Sequence, residues 1–134
     1  MISKKTKYGL KALSYLSQQE KGKPVLISEI ASTQNISLKF LESILLDLKK
    51  QGILSSKKGK GGGYYLMKPA NEISLAKVYR ALEGPIAWLP CVSLNYYEKC
   101  DDCDSEETCK LNKAMVEVRD SILNVVENKT IADL

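Results

Sequence analysis

Four cysteines, Cys91, Cys100, Cys103 and Cys109, lie in one short stretch and nowhere else in a chain of 134 residues. A secreted disulfide scaffold spreads its cysteines along the chain. The opening MISKKTKYGL carries no apolar leader, so a cluster this dense reads as a metal, iron-sulfur or redox site. Thiolates suit iron-sulfur clusters and zinc alike on grounds of softness, so spacing leaves both open, beside a thiol-disulfide switch and plain buried thiols. Histidine is absent, which removes Ser-His-Asp triads, Cys-His dyads, histidine bases and His-liganded zinc. No nucleophile-and-base constellation remains, and the chain is read as a non-enzyme. Asp101, Asp102, Asp104, Glu106 and Glu107 crowd the cysteines, and their charge favours a low reduction potential for any thiolate cluster held there. Trp88, Tyr96 and Tyr97 stand close by, either shielding such a site from water or serving as ordinary core.

A second chemistry lies in the charge distribution. The net charge of +4 hides a division: residues 1–68 carry 13 lysines against 4 acids, and residues 69–134 carry 7 basic residues against 12 acids. A clustered cation suits a polyanion, because phosphate contacts release counterions; a solvated lysine-rich surface is the alternative. No run approaches the roughly 18 apolar residues of a membrane span, so a cytoplasmic protein with no membrane partner is expected.

The elements that must position these groups are legible in the periodicity. Leu10, Leu13 and Leu16, joined by Tyr8, Ala12 and Tyr15, predict a helix over about 5–19, stopped at Gly22-Lys23-Pro24. Ser28 reads as the N-cap of a short helix over 29–33. Ser37 reads as the cap of a second helix whose Leu38, Leu41, Ile44, Leu45 and Leu48 point inward. Two short helices joined by a tight turn are a helix-turn-helix candidate. A strand from Ile53-Leu54, a basic glycine-rich tip over 57–63 and a returning strand over 64–67 then add a wing. Ser74 caps a helix over 75–83 that Gly84-Pro85 ends.

Residues 85–104 show no usable period, and a last helix is expected from 104 or 105 to about 128, with Glu106 and Glu107 at the positive end of its dipole. Within it Leu111, Met115, Val118, Ile122 and Val125 alternate four and three apart, the pattern of a two-helix seam. The seam predicts a homodimer, with packing on the chain's own domain as the competing use. The fold class expected is mainly α with a small β-hairpin wing: a winged helix-turn-helix domain over 1–84, a cysteine-containing loop over 85–104, and a dimerisation helix with its tail over 105–134.

Taken in order, Lys7-Tyr8-Gly9-Leu10-Lys11-Ala12-Leu13, Ile27-Ser28-Glu29-Ile30-Ala31, Ile36-Ser37 through Leu41-Glu42, Gly59-Lys60-Gly61-Gly62-Gly63-Tyr64, Leu82-Glu83-Gly84-Pro85 and Thr130-Ile131-Ala132-Asp133-Leu134 resemble the Rrf2 family of winged-helix transcription regulators over nearly the whole chain. The resemblance implies a homodimeric repressor or activator that binds a double-stranded DNA operator and senses iron-sulfur status or redox or nitrosative stress. It places Ser28, Ser37, Lys39, Phe40, Glu42 and Ser43 at DNA. Glu42 is suited to accept from a cytosine amine, with an ion pair to a neighbouring lysine as its competing use. Lys57, Lys58, Lys60 and Tyr64 supply the wing, and Lys58 occupies a basic family position that reaches the minor groove.

Cluster-holding members use three cysteines, and Cys91, Cys103 and Cys109 fit that set, with Cys100 in place of Cys103, or all four, as the alternatives. The fourth ligands known in the family are missing: a histidine falls at Asn112 and an N-terminal carboxylate at Lys7. Cys100 is then the candidate fourth ligand of a 2Fe-2S or 4Fe-4S cluster, with zinc or no cofactor as alternatives. The rival function is a cluster- or zinc-binding module that uses its winged helix for protein contacts, without DNA.

Overall fold

Leucine spacing does most of the building in the first half of the chain. In the computed structural model, which describes residues 1–134, Lys4–Ser17 forms helix α1. Its start is fixed by the Ser3 side chain, which accepts from the Thr6 N–H at 3.2 Å. Helices α2 (Ile27–Gln34) and α3 (Leu38–Lys50) follow, joined at Asn35, whose left-handed backbone (φ 54°) makes the tight turn. Asparagine tolerates that conformation better than most residues. Strands β1 (Leu54–Lys57) and β2 (Gly63–Leu66) form an antiparallel hairpin with Leu54 opposite Leu66 and Lys57 opposite Gly63. Helix α4 (Leu75–Leu82) and helix α5 (Lys110–Val126) are the remaining α-helices.

One core of 17 buried residues holds the winged part together. Leu13, Leu41, Ile44, Leu45 and Leu48 have no accessible surface, and full burial of each such side chain contributes about 1.5–3 kcal/mol relative to exposure. Gly9 lets α1 lie against α4, since a Cβ there would stand 2.4 Å from Leu82 Cδ1. The tail closes the same core. Ile131 is fully buried in it, its N–H donates to the Ile73 carbonyl at 3.0 Å, and Leu75 N–H donates to the Lys129 carbonyl at 2.9 Å.

Three sequence expectations are corrected. Helix α2 begins at Ile27 with Leu26 as its N-cap and no side-chain cap, so Ser28 lies inside the helix. The Leu26 carbonyl instead accepts from the Glu29 and Ile30 N–H groups. Leu38 is 45% exposed, because the inward arc of α3 is filled by Leu41, Ile44, Leu45 and Leu48 alone. The last helix begins at Lys110, five or six residues later than expected. Glu106 is taken by the Tyr97 hydroxyl and Thr108 Oγ1 bonds the Ser105 carbonyl, so this stretch is tied into turns. The first turn of α5 carries no acid, and a cysteine caps it.

Candidate nucleic-acid interface and cysteine site

Helix α3, the element expected to read DNA, is amphipathic and held by four fully buried side chains. Ser37 caps it by accepting from the Phe40 N–H at 3.3 Å, so this hydroxyl oxygen is partly committed within the chain. Lys39, Glu42 and Ser43 are exposed on its outer face. The three ion pairs of the structure join Lys5 to Asp47, Arg80 to Glu127 and Arg119 to Asp120. Glu42 takes part in none of them, so its competing use as a lysine partner is not realised. Phe40 is half-buried, its ring edge-on to Tyr8 with centroids 5.7 Å apart, so it supports the helix more than it extends from it. Ser28 is exposed on α2 with its side chain uncommitted to a cap.

The wing places Lys57, Lys58 and Lys60 in solvent at its tip. Its rigidity has a source that periodicity did not reveal. Val25, between α1 and α2, pairs with Tyr64 as an isolated bridge, each N–H donating to the other's carbonyl at 2.8 Å. Gly63 (φ 144°) makes this possible, since a Cβ there would lie 2.2 Å from the Val25 carbonyl oxygen. Tyr64 is thus a half-buried anchor of the wing, and Lys49 on α3 reinforces it by donating to Ser56 Oγ at 2.6 Å. The free lysines and the free carboxylate stand on one backbone frame.

The cysteines occupy a different setting. Cys91 is buried in a short 3-10 turn, Pro90–Val92, while Cys100, Cys103 and Cys109 are half-buried, and all four are free thiols. The Cys91 thiol beside Cys100 pushes the latter's pKa up to about 11, and burial with the Cys109 charge raises that of Cys103. Asn112 Nδ2 donates to Cys91 Sγ at 3.4 Å, and the Asn112 backbone N–H donates to Cys109 Sγ at 3.3 Å, which makes Cys109 the N-cap of α5. No group of three or more His, Cys, Asp or Glu side chains converges in metal-holding geometry. In donor chemistry the four sulfurs fit an iron-sulfur cluster or zinc.

Trp88, Tyr96 and Tyr97 are all exposed, so these aromatics do not form core. Tyr97 donates to Glu106, and that carboxylate pushes the phenol up to about 12.

Two residues that the sequence reading passed over tie α5 to the rest of the chain. Arg119 Nη1 donates to the Val92 carbonyl at 2.9 Å, and Arg80 on α4 pairs with Glu127 at 3.8 Å. The signal was compositional: these are the two arginines in a chain that otherwise uses lysine, and a guanidinium is the side chain suited to a fixed, partly buried bond. Against its own domain α5 buries Leu123 and half-buries Ile122 and Val126 beside Ala76 and Ile86. Leu111 and Val125 remain exposed, and Met115 and Val118 are half-buried.

Comparison with known proteins places this arrangement. Residues 2–134 match the Rrf2 family profile, described as iron-dependent transcriptional regulator. An rrf2-like HTH-type transcriptional regulator of Rhodobacter capsulatus is 40% identical over 137 residues, covering 100% of this chain and 91% of the relative. Among solved structures, CymR, the global cysteine regulator of B. subtilis, superposes with a TM-score of 0.78 at 28% identity, over 99% of this chain and 94% of the other. T. potens IscR superposes with a TM-score of 0.74 at 30% identity, over 99% and 84%.

Proposed function

This chain belongs to the Rrf2 family of transcription regulators, and we propose that it acts as a homodimer on a pseudo-palindromic operator, its affinity set by a sulfur-held iron-sulfur cluster. The observation that carries the reading is the position of Cys109: the sulfur site caps α5, the helix that also bears the apolar stripe Leu111, Met115, Val118, Ile122 and Val125. Pairing two copies through that stripe covers side chains that α5 leaves exposed on its own domain and presents two α3 helices to one duplex. Any change at the sulfurs acts on the first turn of the dimer helix, and so on the separation of the two α3 helices.

In this reading Glu42 accepts from a cytosine N4 amine, Ser37 and Ser43 serve bases or phosphates, and Lys39 and Ser28 meet the backbone. Lys57 and Lys60 follow the phosphates while Lys58 enters the minor groove. Lysine lacks the planar fork of arginine there, so the wing contributes charge more than shape readout. Cys91, Cys103 and Cys109, with Cys100 as the fourth thiolate, would hold the cluster. When bound, it supplies a centre sensitive to redox state, oxygen and nitric oxide. The chain's own part is to gather the sulfurs, to surround them with the acids of residues 101–107, and to tie them to α5 through Asn112 and Arg119.

The test is operator affinity before and after anaerobic reconstitution, with visible absorption and acid-labile sulfide measured on the same samples. A coloured, sulfide-containing protein whose affinity changes on reconstitution, and a C91A/C103A/C109A variant whose affinity does not, are the expected results. Identical affinities in the unsubstituted protein before and after sulfide incorporation would remove the sensing part. The DNA part is tested by salt: between about 50 and 200 mM an operator complex with several phosphate contacts loses on the order of a thousandfold or more in affinity. A protein-only partner shows far less.

A further inference from the structure

We propose that Asn112 is a positioning residue of the cysteine site, holding the Cys91 and Cys109 sulfurs at the first turn of α5 by donating one hydrogen bond to each. The proposal rests on the reading of those sulfurs as a thiolate-held sensor. Asn112 is the third residue of α5, so its backbone N–H is one of the donors a helix leaves unpaired, and Cys109 Sγ accepts it at 3.3 Å. Its side chain reaches a sulfur 21 positions earlier in the chain, donating to Cys91 Sγ at 3.4 Å.

Seven residues further along, on the same helix face, Arg119 Nη1 holds the Val92 carbonyl at 2.9 Å. The buried turn carrying Cys91 is therefore gripped at two points by one face of α5, and only the first grip ends on sulfur.

The chemistry of the amide fits holding and not ligation. Its oxygen is a hard donor beside soft thiolates, and its N–H is neutral, so it stabilises sulfur charge without adding a ligand. Hydrogen bonds to cluster sulfurs are among the levers that set potential, and partners of metal ligands tune affinity. Here the donor opposes the acids of residues 101–107, which push the other way. A bond lost or moved when the sulfurs change state is felt at the N-cap of α5, where the same residue supplies the helical N–H.

Cobalt(II) serves as the probe, added anaerobically to the reduced, metal-free full-length protein and followed by its thiolate-to-metal charge-transfer absorption. Asn112→Ala is expected to weaken binding on the order of ten- to a hundredfold. Asn112→Leu, which keeps much of the volume but has no side-chain donor for Cys91, should weaken it as much. Amide NMR of the metal-free protein gives the second measurement: the Asn112 side-chain resonances should move in Cys91→Ala and its backbone resonance in Cys109→Ala.

Equal cobalt affinity in the unsubstituted protein and Asn112→Ala overturns the proposal and leaves the sensor reading standing. Failure of the unsubstituted protein to bind cobalt counts against the sensor reading, and the NMR result then decides the proposal. Side-chain resonances unmoved by Cys91→Ala overturn it; displaced ones support it.

Discussion

The winged part and the cysteine segment are held in opposite ways. The wing and α3 stand on a core of 17 buried residues, and their polar side chains point away from it. Behind the cysteine segment lies a second core of three, Ala76, Ile86 and Leu123, and beyond its buried Cys91, Val92 and Ser93 the segment is tied to α5 by single bonds from Asn112 and Arg119. Interiors packed by many dispersion contacts resist small local changes, whereas a segment held by a few hydrogen bonds responds to each of them. A DNA-reading surface gains from the first arrangement and a chemical sensor from the second.

The largest test of that contrast is in the first core. Leu41→Ala removes a side chain with no accessible surface and is expected to lower the stability of the whole chain by about 2–5 kcal/mol in urea denaturation. A loss below about 1 kcal/mol would mean that the winged core relaxes as easily as the cysteine segment. Arg119→Ala comes next. It removes a charged donor, itself only 15% exposed, from the Val92 carbonyl, and is expected to cost about 1.5–3 kcal/mol. The effect should appear as faster amide hydrogen exchange confined to residues 89–109. Exchange that rises equally in α1 and α3 would show that the two regions unfold as one.

Ser37→Ala deletes the acceptor for the Phe40 N–H at the start of α3. It is expected to cost about 1 kcal/mol and to loosen that turn without touching the cysteines. The smallest effect lies within the winged part, between α1 and α4. The Ser3 hydroxyl and N–H hold the Glu83 carboxyl below the usual carboxylate range, fixing the start of α1 to the end of α4. Ionised Glu83 therefore stabilises the fold above the ordinary carboxylate pKa, and that contribution is lost as pH falls through its lowered native value. Glu83→Gln should be slightly less stable at neutral pH and should converge with the unsubstituted protein in acid. Parallel stability-pH curves for the two would show that the Ser3 contact carries no weight.

The helices of the winged part, the hairpin and the caps at Ser37 and Ser74 were legible because each is written locally, in apolar spacing and in a hydroxyl just before a helical run. The start of α2 was misread for the same reason. Ser28 has the chemistry of a cap, but the Val25–Tyr64 bridge fixes the chain just before the helix, and the cap falls two residues earlier, at Leu26. Leu38 looked like core because leucine usually is, and only the filled inward arc of α3 excludes it. The start of α5 was misplaced because Glu106 and Glu107 suit a first turn, while contacts from Tyr97 hold Glu106 outside it.

By itself the sequence determined the winged architecture, the basic tip, the outward face of α3 and the grouping of the cysteines, all properties of residues near one another along the chain. Tertiary structure decided what touches the sulfurs: that Asn112 reaches Cys91 from 21 positions away, that Arg119 holds the turn beside it, and that Cys109 ends a helix. The physical reason is that such bonds depend on where α5 crosses the Pro90–Val92 turn, and that crossing is set by the packing of Leu123, Ala76 and Ile86. No spacing between those residues encodes it.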